Sequence, residues 1–414
     1  MKKRFLALLL FCVMLLPVLA GCSEGDYGAM APGDVAGMKG ESGASDGSSN
    51  SENAPATIPA GQMTAAEWND AEHFDLWLKM FQTGQDVSER GPFVSYVNEY
   101  SLWNLPYNDM LAVFVGREDV PVSGAKLTLK GDEGELYSAV SDAKGMAYLF
   151  YSDAAHTLSV QSGEETQDIA LAEATLTDGI LKVNVSDWAE KQNVIELMFL
   201  IDTTGSMGDE LRYIKAEVDD VIARVKETNP GVTVRLALLF YRDEGDEYVT
   251  RYSDFTEDIE AQRAFLAQQK PDGGGDTPEA VHIALTEAVA QQWSTGNTTK
   301  LIFHILDAPP HERYADAQIY RQAILDAAEK GIRIIPVASS GIDKEAEYLL
   351  RSEALLTGGT YTFLTDDSGI GNSHLTPEVG TFTVEFLNSM LVRLISEFHQ
   401  GIDISPVDWR QEVK

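Results

Sequence analysis

The chain has 414 residues, 44% of them apolar, enough to bury at least one large core and, by length, to form two or three folded units. Its 65 acidic residues outnumber 31 basic ones, giving a formal charge of −34; such a surface repels phosphate backbones and anionic headgroups, which excludes nucleic acid and a polybasic membrane contact. The two cysteines, Cys12 and Cys22, are too few and too N-terminal for a thiolate zinc centre or a structural disulfide in the folded part.

Residues 1–21 read as a secretory signal: Lys2, Lys3 and Arg4 precede the apolar run Phe5 to Leu16. Leu19-Ala20-Gly21-Cys22 resembles a bacterial lipobox, and the resemblance implies cleavage before Cys22, its lipidation, and a chain anchored by lipid outside the cytoplasm. The alternative is an ordinary signal peptide or a short uncleaved anchor. Residues 22–62, rich in Gly, Ser, Ala, Asp and Glu, cannot bury enough surface to offset ordering entropy and read as a flexible tether. About 40 such residues reach on the order of 35 Å.

Residues 63–107 read as a helical segment. Thr64-Ala65-Ala66-Glu67 fits a capping box, and Phe74, Trp77, Leu78 and Phe81 recur at helical spacing up to about Gly84. That aromatic stripe packs onto its own neighbours or, on the sharper reading, binds a peptide. From 108 to 175 the period becomes two: Ala125, Leu127 and Leu129 alternate with Lys126, Thr128 and Lys130, and Asp142-Ala143-Lys144-Gly145 supplies a turn, which predicts a small antiparallel sandwich. Pro121 to Leu129 with Ser141 to Ala147 resembles the immunoglobulin-like or carboxypeptidase-regulatory-like modules of bacterial surface proteins, whose usual role is that of a spacer.

Beyond residue 190 apolar strands alternate with helical patterns, the signature of a doubly wound, mostly parallel α/β sheet. Strands are expected at Val194 to Ile201, Thr233 to Tyr241, Thr299 to Leu306, Ile332 to Val337 and Gly359 to Leu364, with an edge strand at Glu247 to Ser253. Leu211, Ile214, Val218, Val221, Ile222 and Val225 form one helix face, Pro278 is expected to open another helix, and Thr383 to Gln400 to form the last. Ligands of such sheets bind beyond the carboxyl ends of the strands, where strand order reverses.

Asp202-Thr203-Thr204-Gly205-Ser206 follows the first strand, so a carboxylate and two hydroxyls leave a buried strand tip on alternate positions, as half of an oxygen-only cation site would. Asp276-Thr277, after Gly273-Gly274-Gly275, and Asp307 can supply the rest. The stretches Phe199 to Met207, Gly273 to Glu279 and Leu306 to His311 together resemble a von Willebrand factor A (VWA) domain over residues 190–400, leaving 401–414 as a tail. The resemblance implies strand order 3-2-1-4-5-6 and a metal-ion-dependent adhesion site in which Ser206, Thr204 and Thr277 give hydroxyls and Asp202 and Asp307 the acidic positions. Thr204 stands where serine is common, and Ala308-Pro309-Pro310 replaces a shorter polar turn.

Hard oxygen ligands on short side chains suit magnesium, with manganese able to substitute. Two carboxylates balance the ion's charge and leave a position for an Asp or Glu side chain of a protein ligand. Nearby, Asp243 reads as a further acceptor and Arg242 as a charge steering an acidic ligand, or the two as surface ion-pair members; Asp276 and His311 are further candidates for touching ligand, and His304 a core residue. An enzyme is not expected: aspartyl-phosphate chemistry of the haloacid-dehalogenase kind needs a second acid where this chain has Thr204, and a hydroxyl cannot replace that acid at neutral pH. The expected function is cation-dependent capture of a protein partner, as in cell adhesion; the alternative is an envelope assembly lipoprotein whose contacts need no metal.

Overall fold

The computed structural model describes residues 59–84, 90–97, 101–275 and 277–412, all within one unit, Thr57–Lys414. Residues 1–58, with Cys22, and Asp276 lie outside the described residues.

The chain opens with strand β1 (Thr64–Trp68) and helix α1 (Phe74–Lys79). A two-sheet region follows, made of β2 (Met110–Arg117), β3 (Val120–Pro121), β4 (Lys126–Gly131), β5 (Gly134–Val140), β6 (Met146–Phe150), β7 (Thr157–Ser162), β8 (Glu165–Ala170), β9 (Leu176–Thr177) and β10 (Ile180–Asn184). The α/β part then runs β11 (Val194–Asp202), α2 (Gly208–Thr228), β12 (Thr233–Tyr241), β13 (Thr250–Thr256), α3 (Ile259–Gln268), α4 (Val281–Ala290), β14 (Thr299–Leu306), α5 (Tyr314–Glu329), β15 (Ile332–Ala338), α6 (Lys344–Thr357), β16 (Tyr361–Leu364), β17 (Glu385–Phe386), α7 (Leu387–Gln400) and α8 (Trp409–Glu412). Among the described residues no helix is long and apolar enough to cross a membrane.

The main sheet has eight strands in the order β13-β12-β11-β14-β15-β16-β1-β17, parallel from β12 to β16. Taken over the α/β part alone this is the expected 3-2-1-4-5-6, with β13 antiparallel at the edge. The buried runs Val194–Asp202, Thr233–Tyr241 and Thr299–Leu306 become central strands because both their faces are covered by helices. Ile201 of β11 pairs with Ile305 of β14, so Asp202 and Asp307 leave neighbouring strands at the same edge.

Residues 64–68 correct the sequence reading: they form a strand, and the helix is confined to Phe74–Lys79. Glu67 does not reach back to Thr64 as a capping box requires but accepts from Arg393 of α7 at 2.8 Å, while the Thr64 hydroxyl donates to the Thr365 carbonyl at 3.3 Å. The physical reason is the unpaired edge of β16: pairing Ala65 to Trp68 along it satisfies a row of backbone groups that an isolated helical turn would leave to water. Glu217 on α2 holds the entry by accepting from the amides of Gly61, Gln62 and Met63. The aromatic stripe packs inward, with Trp77, Phe81 and Phe93 around Tyr348 of α6.

The alternating segment forms two sheets, β3-β2-β10-β9 with β6 on β2, and β5-β4-β7-β8. Ala125, Leu127 and Leu129 point inward as expected and share one core with Val113, Val115, Leu149 and Val183. The region extends to Asn184, because β10 pairs in parallel with β2. Asp142 makes the predicted turn, its carboxylate accepting from the amides of Lys144 and Met146 at 2.8 Å each.

Two further boundaries differ. Pro278 lies ahead of α4, which starts at Val281, and the last helix begins at Leu387 because 385–386 pair with β1. Helix α6 ends at Gly358 in the left-handed conformation, φ 66°, where an added Cβ would meet nothing closer than 3.9 Å. Replacing Gly358 by Ala therefore costs only backbone strain, and we expect a loss of about 1 kcal/mol in urea unfolding; an unchanged midpoint would contradict that reading.

Candidate metal centre

Three loops meet above the carboxyl ends of β11 and β14. The first, 202–206, is folded by its own polar groups: Asp202 Oδ1 accepts from the Thr204 amide at 2.8 Å and from its hydroxyl at 2.7 Å, and the Thr204 and Ser206 hydroxyls lie 3.2 Å apart. The second is tied to it twice, by the Asp272 amide donating to the Thr203 carbonyl and the Gly205 amide to the Gly273 carbonyl. Gly273, Gly274 and Gly275 have φ of 77°, 67° and 124°; at Gly274 an added Cβ would lie 3.2 Å from the Thr204 Cβ, so the glycine permits the approach. The third loop joins the second through the Glu279 amide, which donates to the Pro309 carbonyl.

Asp202, Thr204, Ser206 and Asp307 are thereby brought together: the hydroxyls of Thr204 and Ser206 adjoin Asp202, and Asp307 on the neighbouring strand's end acts electrostatically on Asp202. Thr277 is exposed on the second loop, and among the described residues no hydrogen bond links it to the other four. Asp202 is fully buried and Asp307 nearly so. Burial and the neighbouring Asp307 push the Asp202 carboxyl up to about 8; burial, opposed by the Ser206 hydrogen bond, pushes Asp307 up to about 6. Among the described residues Asp202 Oδ2 and Asp307 Oδ1 are buried without a hydrogen-bond partner. Two orphaned carboxylate oxygens beside two hydroxyls are a donor set that fits a small hard cation. Among the described residues no three His, Cys, Asp or Glu side chains are arranged to hold an ion by themselves.

The lower-ranked candidates separate. Asp243 borders the site and accepts from His311 Nε2 at 2.7 Å, which places both residues beside the three loops. Arg242 is not available to steer a ligand: its side chain is 5% exposed, donates to the Lys270 carbonyl at 2.9 Å and lies over the Tyr248 ring. His304 is a core residue, bonded to Glu353 at 2.9 Å.

Two acids escaped the sequence reading. Glu279 is buried with Oε2 unpartnered among the described residues, and its carboxyl is pushed up to about 9 by burial and by Asp202, Asp243 and Asp307. Glu210, in the first turn of α2, is buried with one unpartnered oxygen while the other accepts from the Ser340 amide. Spacing gave no signal for either, since an acid after a proline or in a first helical turn is ordinary; only the tertiary fold buries them beside the site.

Residues 196–369 match the family model described as von Willebrand factor A domain. Among curated proteins, an ariadne-like RING finger protein of Acanthamoeba polyphaga mimivirus is 31% identical over 30% of this chain and 12% of its own length. An alpha-protein kinase of Dictyostelium discoideum is 28% identical over 28% of this chain and 19% of its own length. The chain thus spans under a fifth of either relative. Among solved structures, BatB from Bacteroides thetaiotaomicron aligns at 18% identity over 41% of this chain and 89% of that one, TM-score 0.31. The pilus adhesin SpaC from Lactobacillus rhamnosus GG aligns at 13% identity over 51% and 31%, TM-score 0.37.

Proposed function

We propose that this chain is a protein-binding module that captures a partner's exposed Asp or Glu through a magnesium ion, or manganese in its place, held by Asp202, Thr204, Ser206, Thr277 and Asp307. The observation that carries the reading is the pair of buried, unpartnered oxygens, Asp202 Oδ2 and Asp307 Oδ1, placed beside two hydroxyls by three mutually tied loops. The match to the von Willebrand factor A model over the same residues supports it. The chain's own groups do three things. Asp202 and Asp307 supply charge, Ser206 and Thr204 orient them, and the Gly273 to Gly275 turn brings the second loop close.

The module is proposed to act in adhesion outside the cytoplasm, anchored by lipid on Cys22, and without catalysis. Calorimetric titration of the tethered domain with magnesium is expected to show one saturable site. A tagged protein is expected to recover its partner from its own cell envelope in magnesium and lose it in chelator or with Ser206→Ala, by roughly ten-fold or more. Recovery indifferent to chelator would replace this reading with metal-independent envelope assembly.

A further inference from the structure

A second site lies at the opposite end of the central sheet. A cavity of 450 Å³ runs between the starts of β14 and β15 and the 123–124 and 140–143 turns of the two-sheet region. The cation site sits where β11 and β14 end, so the length of a strand, about 25 Å, separates the two.

The cavity's chemistry is the reverse of the surface's. In a chain of charge −34 it collects Lys191, Lys300, Lys330 and Arg333 against two acids, Glu329 and Asp142. Both acids are already engaged, Glu329 by Lys126 at 2.8 Å and Asp142 by two turn amides. Arg333 donates to the Val140 carbonyl at 2.8 Å and Lys330 to the Val289 carbonyl at 2.9 Å.

Lys191 and Lys300 also stand without an acid. Among the described residues neither ammonium has an ion-pair partner: Lys191 donates to His399 Nδ1 at 3.1 Å, and Lys300 only to the Lys330 carbonyl at 3.3 Å. His399 accepts there as a neutral ring, since burial and Lys191 push it down to about 4, and the same nitrogen lies 3.0 Å from the Thr299 hydroxyl. The Lys191 ammonium is thus pinned beside Thr299, the first residue of β14. Each ammonium carries three donors, so both keep spare ones at the cavity wall. Burial lowers Lys191 to about 8; burial lowers Lys300 as well, with Lys330 and Arg333 adding to it and the field of Glu196 opposing it.

We propose that this cavity binds a small organic anion whose carboxylate or phosphate is drawn by the cations of its wall, Lys191 and Lys300 among them. The volume suits a molecule of about monosaccharide size, and a ligand there would touch both the two-sheet region and the α/β part. The site is independent of the cation site and of the reading given to it.

The test uses the folded chain dialysed free of divalent ions and chelator, so that no anion can bind through a metal. Calorimetry with inorganic phosphate in one arm and glucuronate in the other is expected to give saturable binding in the millimolar range or tighter for at least one, with a rise in melting temperature. The responding arm identifies the ligand's head as phosphoryl or carboxylate. Lys191→Met/Lys300→Met is expected to weaken binding about ten-fold or more, and Lys300→Met alone gives the same comparison should the double variant not fold. Failure of both probes to saturate at millimolar concentration, or equal binding by the lysine variants, would overturn the proposal.

Discussion

Asp202→Asn is expected to abolish magnesium uptake and yet to stabilise the protein when no metal is present. The asparagine keeps an Oδ1 acceptor for the Thr204 amide and hydroxyl, which shape the first loop, so the loop persists. What it removes is a fully buried carboxylate with one orphaned oxygen, next to Asp307 and within reach of the fields of Asp243 and Glu279. Without a cation, ionising that group in the fold is costly; with one, its charge is the main attraction.

The pH dependence gives the sign. The carboxyl titrates near 4 in the unfolded chain and about 8 in the metal-free fold, so between those values the folded state holds a proton that the unfolded state has released. Stability from this group is therefore fully present below pH 4 and is lost as pH rises towards 8, with a slope of at most about 1.4 kcal/mol per pH unit. Magnesium should then raise the melting temperature of the wild type more at pH 8 than at pH 5, and Asp202→Asn should flatten the metal-free curve. An Asn variant that still takes up magnesium, or that is less stable than metal-free wild type at pH 8, would contradict the account.

Legibility from sequence followed the range of the interactions involved. Central strands were placed almost to the residue, because Val194–Asp202 and Thr299–Leu306 are mostly apolar and carry their burial in their composition. That Asp202, Thr204, Ser206 and Asp307 come together was legible because they sit at strand ends, where topology alone decides what meets. Strand β1 was misread because its residues do form a plausible capping box; the edge of β16 that captures them lies about 300 residues away, and local propensity holds no trace of it. Arg242 was misread for a related reason, since a charge after a strand looks exposed until Tyr248 and the Lys270 carbonyl are seen to cover it.

Arg351→Met tests how deeply the first ordered segment belongs to the fold. The guanidinium, 1% exposed, donates to both oxygens of Asp70 at 2.9 and 2.6 Å and to Glu347 at 3.1 Å, and it lies 5.4 Å from the ring centres of both Trp77 and Phe93. Asp70 comes from the segment beyond β1 and Glu347 from α6, so one arginine joins elements some 280 residues apart. Methionine fills much of the same volume but leaves two buried carboxylates, supported by the Trp68 indole at 3.1 Å, Lys344 at 2.8 Å and the Glu378 amide at 3.3 Å. Breaking a buried pair from one side costs about 3–5 kcal/mol, because the surviving charge stays desolvated. Urea unfolding of Arg351→Met should show a loss of that size. Asp70→Asn combined with Arg351→Met should recover part of it, since the neutral amide leaves one buried charge fewer. A loss below about 1 kcal/mol would mean that the segment opens from the α/β part at little cost, and that its strand is an ornament of the sheet's edge rather than a member of it.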